Sequence, residues 1–355
     1  MIDQELLDLL IALAKCRPVS QNIACVNAAH DTLKAFLDSK GIWNVTEIIN
    51  ERKVLYASPT QEKEPDYLFN AHIDVVPAVS EDQFTPRQEG KRLYGRGCGD
   101  DLGHVMSLVK LLMDVAGKPV SMGVMFSADE EIGGRTTNGL LDLGYKANKC
   151  VVIADGGNPK IVTAEKGLLS VKVTAVGKGG HAAMPWALDN PFEKLFAAYT
   201  QLKASWDHPT AQMQWKDSMT VTMLNAGKVH NQVPDSAAML LNIRYTADER
   251  REIILEKLRS AGLEVEIFEE CPPVVSDRND PHLQRLLKIA SEVRKTPCSF
   301  GELNGATDAR HLKRLGVPIA IMGVVTGGAH SANEFVELDS IAPLTEILKR
   351  FMLEE

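Results

Sequence analysis

Apolar positions along the chain follow two periods. Leu6, Leu7, Leu10, Leu13 and Ala14 fall on one face of a helix, and a second helical pattern runs from Asn22 through Ala28, Leu33 and Phe36 to a stop at Gly41. Short apolar runs follow. Val45–Ile49, Val54–Ser58 and Tyr67–Phe69 predict strands, the last leading into Asn70-Ala-His-Ile-Asp-Val-Val-Pro77. Two further runs, Met122–Phe126 and Cys150–Ala154, read as buried strands, with helices predicted over 104–115 and 137–143. The first of these strands ends at Ser127-Ala-Asp-Glu-Glu-Ile-Gly-Gly134 and the second at Asp155, with Gly156-Gly157 behind it. Strand, acid, glycine recurs, and in open α/β sheets sites gather at the carboxyl ends of strands.

The pattern changes near Lys166-Gly167. Strands are expected over 169–176, 219–225, 237–245 and 263–269, with helices over 190–205 and 247–261. Asn190-Pro191 supplies a helix start, and Arg259-Ser-Ala-Gly262 a basic, glycine-ended stop. This βαββαβ order predicts a small α+β unit of the ferredoxin-like type. After a linker at Cys271-Pro-Pro273 the α/β character resumes: a helix over 282–293, a loop over 301–307, a helix from Asp308, a strand over 318–324 and a glycine-rich loop to His330. The expected organisation is a discontinuous α/β domain over 1–166 and 275–355, with a second domain, 167–274, inserted into it.

Composition narrows the partners. The 355 residues carry a net charge of -8, which argues against a nucleic-acid surface. No apolar run approaches the roughly 20 residues of a membrane span. The N-terminus is acidic where a signal peptide would be basic. The six cysteines are scattered without a C-x-x-C pair, which suits free thiols in a reducing cytoplasm.

The candidate chemistry lies at the predicted strand ends. His72 and Asp74, one residue apart on extended backbone, share a face, an arrangement in which a carboxylate fixes a metal-binding imidazole. Asp74 equally reads as a turn former before Pro77. Gly95-Arg-Gly-Cys-Gly-Asp-Asp-Leu-Gly103 packs glycines around Asp100, and its two aspartates suit a cation better than a phosphate. Glu130 and Glu131 point in different directions, so one can bind a metal while the other serves as a general base. Alone, that triplet reads first as a solvated acidic turn.

Six segments carry a family resemblance: Ala71-His-Ile-Asp-Val-Val-Pro77, Gly95-Arg-Gly-Cys-Gly-Asp100, Ala128-Asp-Glu-Glu131, Gly179-Gly-His-Ala-Ala-Met-Pro185, Asn231-Gln-Val-Pro234 and Gly328-Ala-His-Ser-Ala-Asn-Glu334. In this order they resemble the motif series of the acetylornithine deacetylase, succinyl-diaminopimelate desuccinylase, aminoacylase and carboxypeptidase G family of co-catalytic zinc metallopeptidases. The resemblance implies a zinc-exopeptidase-like catalytic domain, its mixed sheet between helices, with an inserted lid and dimerisation domain. It also implies two zinc ions, with cobalt or manganese as alternatives. His72 and Asp155 would hold one, Glu131 and His330 the other, and Asp100 would bridge them, followed by a cis peptide. Glu130 would be the general base toward a shared water, and Asp74 would orient His72. In the inserted domain His181 would contact the tetrahedral intermediate and Asn231 the substrate. Arg244 and Arg310 match positions that bind a substrate carboxylate, with a surface ion pair as the lesser alternative for either.

Three departures stand out. Asp101-Leu102-Gly103 replaces the Met-Lys-Gly of many relatives, so an extra acid near the metals is expected to favour a positively charged amine on the substrate. The first-metal carboxylate is Asp155 where glutamate is common among deacylases. Cys98 reads as a small buried thiol. The other histidines match no ligand position, and only His104 and His230 lie close enough to motifs to support a ligand. The expected activity is hydrolysis of an amide in an N-acyl amino acid or short peptide. The alternatives are a true di- or tripeptidase or carboxypeptidase and, with every ligand position filled, less readily an inactive metal- or ligand-binding relative. A cytoplasmic homodimer joined through the inserted domain is expected.

Overall fold

A computed structural model of the chain describes residues 2–156 and 158–354; Gly157, the second glycine behind Asp155, lies outside the described residues. The chain divides into two compact units. One comprises Met1–Ala164, Ser276–Gly301 and Thr307–Glu355, the other Glu165–Val275 with Glu302–Ala306.

The first unit is built on a mixed sheet. Tyr67–His72 runs parallel to both Met122–Ser127 and Cys150–Ala154, and Ile319–Met322 runs parallel to Cys150–Ala154 on its other side. Antiparallel Arg52–Ala57 and Asn44–Ile49 extend one edge. Strands buried on both faces must be apolar throughout, which is why Met122–Ser127 and Cys150–Ala154 show runs rather than alternation. Helices Gln4–Lys15, Ile23–Ser39, Gly103–Val115, Pro281–Arg294 and Ile341–Leu353 supply the remaining core. The Asn22 side chain caps Ile23–Ser39 by accepting the Cys25 N–H, and Gly41 follows its end with φ +67°.

Four short strands, Arg87–Glu89, Arg92–Tyr94, Thr326–Gly327 and Phe335–Glu337, form a separate small sheet. It joins the approaches to Asp100 and His330: Gly95 donates its N–H to the Glu334 carbonyl at 3.0 Å. The loop expected over 301–307 begins instead as the end of a strand, Phe300–Leu303, and the helix from Asp308 is a single turn, Ala309–Leu312.

The second unit contains four antiparallel strands in the order Ser218–Ala226, Ser236–Tyr245, Gly167–Val176 and Glu264–Cys271. Gly167–Val176 pairs in full register with Ser236–Tyr245, from Gly167 against Tyr245 to Val176 against Ser236. Helices Pro191–Ala204 and Arg250–Ser260 pack on one face through Leu195, Leu202, Ile254 and Leu258. Alternation along Ser236–Tyr245 follows from that one-sided cover.

Candidate active site

The parallel strands end together, and the residues that leave them carry the expected ligands. His72 closes its strand opposite Ser127, which sets its imidazole near the turn bearing Glu130 and Glu131. The ring is buried. Its Nδ1 lies 2.8 Å from the Asp74 carbonyl oxygen, and its Nε2, 3.1 Å from Asp100 Oδ1, is the nitrogen presented to the site. The Asp74 carboxylate stays 3.6 Å from Nδ1 because it is engaged elsewhere. It accepts the Ser20 hydroxyl at 2.6 Å and the backbone N–H groups of Glu130 and Glu131 at 3.0 and 3.3 Å. Asp74 therefore meets His72 mainly through its backbone, while its side chain fixes the acidic turn.

Asp100 turns its other oxygen, Oδ2, to His330 Nε2 at 3.2 Å, and Glu131 Oε1 lies 3.1 Å from that same nitrogen. Donor atoms of His72, Asp100, Asp101 and Asp155 fall within 4.8 Å of one another, as do those of Asp100, Glu131 and His330. Asp100 belongs to both groups, the position required of a bridging ligand, and its peptide bond to Asp101 is cis. Imidazole nitrogens mixed with carboxylate oxygens suit borderline-soft divalent ions, so the residues fit a metal pair. Burial and repulsion from neighbouring carboxylates hold the carboxyls of Asp155 and Glu131 above the usual range. Burial favours neutral His72, but Asp101, Asp100 and Asp74 outweigh it and raise its pKa well above the ordinary value. A divalent cation would relieve this crowding of acids.

Glu130 lies outside both donor groups. Arg310 Nη2 donates to its backbone carbonyl at 2.9 Å and to Oε1 at 3.1 Å, so the arginine expected at a substrate carboxylate meets the expected base. Burial, together with the charge of Asp308, raises the Glu130 pKa well above its ordinary value. Asp308 itself buttresses the turn from below. Its Oδ2 accepts the hydroxyls of Ser127 and Thr137 at 2.6 and 2.7 Å. Gly134, φ +64°, admits this approach, since a Cβ there would stand 2.2 Å from Asp308 Oδ1.

Asp101 does not behave as its sequence position suggests. It is fully buried, its Oδ2 accepts the His72 N–H at 3.0 Å, and its Oδ1 lies 2.5 Å from His104 Nδ1. Buried away from solvent, it offers no surface to a substrate amine, so the expected preference for a cationic amine does not follow from it. Cys98 is buried, and burial pushes its thiol pKa up, as a packing role requires.

The remaining expected residues belong to the second unit. Gly180–His181 pairs with Gln232–Val233, and the Ala182 N–H donates to the Asn231 carbonyl at 3.0 Å, so His181 and Asn231 sit in neighbouring, exposed loops. Arg244 lies on Ser236–Tyr245, its Nε donating to Asn242 Oδ1 at 3.3 Å.

Sequence reasoning gave no role to Arg96 and Glu334. Both are buried and paired; Glu334 Oε1 also accepts the N–H groups of Gly99 and Asp100 at 3.0 and 3.1 Å. Each stands inside a motif, Arg96 four residues before Asp100 and Glu334 four after His330. A charged residue inside a motif, four positions from a candidate ligand, is the signal that points to them.

Comparison with known proteins places this geometry. The family model described as peptidase family M20/M25/M40 matches residues 68–354, a span that includes every residue named in the two donor groups. A probable succinyl-diaminopimelate desuccinylase of Staphylococcus aureus (strain MRSA252) is 26% identical, with 91% of this chain and 91% of that protein aligned. The succinyl-diaminopimelate desuccinylase of Wolbachia pipientis subsp. Culex pipiens (strain wPip) is also 26% identical, over 92% of this chain and 88% of that one. Among solved structures, aminopeptidase PepT from Bacillus cereus gives a TM-score of 0.81 at 18% identity, covering 100% of this chain and 99% of its own. An M20 family metallo-carboxypeptidase from Sulfolobus solfataricus gives 0.78 at 19% identity, covering 98% of each chain. These structural likenesses establish the fold. With the family match over most of its length, the chain belongs to peptidase family M20/M25/M40 and is a metal-dependent hydrolase.

Proposed function

We propose that this enzyme hydrolyses the amide bond of a small N-acyl amino acid or short peptide at a two-metal site. His72 and Asp155 would hold one ion, Glu131 and His330 the other, and Asp100 would bridge them. Zinc is the ion this donor set suits best, with cobalt or manganese as alternatives. The observation that carries the reading is that Asp100 offers one oxygen to each imidazole, at 3.1 and 3.2 Å, which joins the two donor groups.

Bound divalent ions supply Lewis-acid polarisation of the scissile carbonyl and acidify the attacking water near neutral pH. Glu130 takes the proton from that water as its oxygen attacks the carbonyl carbon, then delivers it to the departing amine as the C–N bond breaks. A buried carboxyl with a raised pKa suits both halves of this transfer. Asp74 holds the Glu130 backbone, and Arg310 orients the carboxyl. His181 and Asn231 would donate to the substrate and its developing oxyanion, and Arg244 or Arg310 would receive a free carboxylate. The inserted unit offers a face for a homodimer. Edge strand Ser218–Ala226 exposes Met223 and Leu224, and helix Pro191–Ala204 exposes Phe192 and Phe196, stacked at 6.2 Å.

The test is hydrolysis by zinc- or cobalt-reconstituted protein of a panel setting N-acetyl and N-succinyl amino acids beside di- and tripeptides. Glu130→Gln should lower kcat by about 10²–10⁴ while retaining both ions. Unchanged kcat in that variant, or no turnover of any member with two ions bound, would sink the proposal. Turnover confined to peptides with a free amine would make the enzyme a peptidase rather than a deacylase.

A further inference from the structure

His104 and Asp101 lie in close contact behind the strand ends that carry His72 and Asp155. The Gly156 N–H donates to His104 Nε2 at 3.3 Å, and on the other side of the ring Nδ1 lies against Asp101 Oδ1 at 2.5 Å, a close contact without hydrogen-bond alignment. Asp101 Oδ2 accepts the His72 N–H at 3.0 Å. Together these contacts link the backbone of one metal-ligand candidate, His72, to the residue directly after another, Asp155, across two adjacent strand ends. His104 and Asp101 are 1% and 0% exposed, so water cannot take over either contact. Their surroundings leave the ring little freedom: a Cβ at Gly323 would lie 2.2 Å from His104 Nε2. His104 lies in the first turn of the helix Gly103–Val115, whose apolar face is part of the core, so the contact is anchored to a packed element.

We propose that Asp101 and His104 are positioning residues that hold His72 and Asp155 at the separation their shared metal ion needs, and thereby set the affinity of that ion apart from the one held by Glu131 and His330. The proposal rests on the two-metal reading above. It assigns the extra aspartate a structural task inside the protein rather than a contact with substrate.

Two polar variants break the link at opposite ends. His104→Asn retains a group near Nδ1, facing Asp101, and loses the acceptor for Gly156. His104→Gln retains the acceptor and loses the contact with Asp101. Cobalt titration of the metal-free proteins, followed by d–d absorption and competition with a chelator, reads each site without relying on activity. Wild type is expected to bind two ions. Both variants should weaken one of them by about 10–100-fold, the usual effect of removing an outer partner of a ligand, and leave the other within about twofold. A cycle identifies the site. In a Glu131→Gln background the same loss should recur, whereas in an Asp155→Asn background His104→Asn should add almost nothing. Equal weakening of both ions, no weakening, or equal losses in both backgrounds would overturn the positioning role. A variant that cannot be recovered folded counts as overturning it if the other variant binds both ions normally. Fewer than two ions in wild type would instead overturn the two-metal reading.

Discussion

At the scale of single residues, the acids and imidazoles make the metal-free site sensitive to pH. Hydrogen bonding to Asp100, against some burial and aided by Glu131, raises the His330 pKa to about 9 from an ordinary value near 6.5. A group raised in the folded state contributes stability that is complete below its unfolded pKa and is lost as pH rises through the folded one. The chelator-treated protein should therefore lose thermal stability between pH 6.5 and 9, and His330→Asn should flatten the decline. Burial raises the carboxyl pKa values of Asp155, Glu130 and Glu131, which gives the same sign from a lower starting pH. A melting temperature of the metal-free protein that rises over that window would contradict the assigned contacts. His72, Asp100, Glu131 and Asp155 stood out in the sequence as metal-type residues at strand ends or in a glycine-rich loop, whereas the choice of His330 came from the family resemblance. Ser20 and Asp308 did not stand out, since what they do depends on partners 54 and 181 residues away, Asp74 and Ser127.

At the scale of elements, the long strands and helices were readable from periodicity, but the small sheet beside the site was not. Its strands, such as Arg92–Tyr94 and Phe335–Glu337, are three residues long and show no period. This sheet delivers Glu334 to the loop before Asp100, where the carboxylate meets Arg96 and two backbone N–H groups. Removing one partner of a buried ion pair strands the other charge, typically at a cost of about 3–5 kcal/mol. Glu334→Ala should cost that much in denaturant unfolding of the metal-free protein. Replacing both partners, Arg96→Met with Glu334→Gln, should recover part of it. Equal losses in the single and double variants would show that the backbone contacts, not the charge pair, dominate.

At the scale of the whole molecule, the alternation of α/β and βαββαβ patterns conveyed the order of elements. What it could not convey was which exposed apolar side chains belong to an interface. Met223 and Leu224 on the edge strand are 60% and 54% exposed, the basis of the proposed dimer. The double substitution Met223→Glu with Leu224→Lys should shift equilibrium sedimentation at micromolar concentration from dimer to monomer without altering the melting of either unit. A wild-type monomer would end the dimer proposal. One strand has a wider consequence. Ile319–Met322 lies between Cys150–Ala154 and Ile161–Glu165, although more than 150 residues of sequence separate it from either. As a ribosome extends the chain, the sheet must wait with a gap at that position until the intervening βαββαβ unit has been made. His330 emerges only eight residues after the strand that fills the gap. A nascent chain stalled just short of residue 319 would carry His72, Asp100, Glu131 and Asp155 but not His330, so the donor group of Asp100, Glu131 and His330 is complete only once the gap in the sheet can be filled.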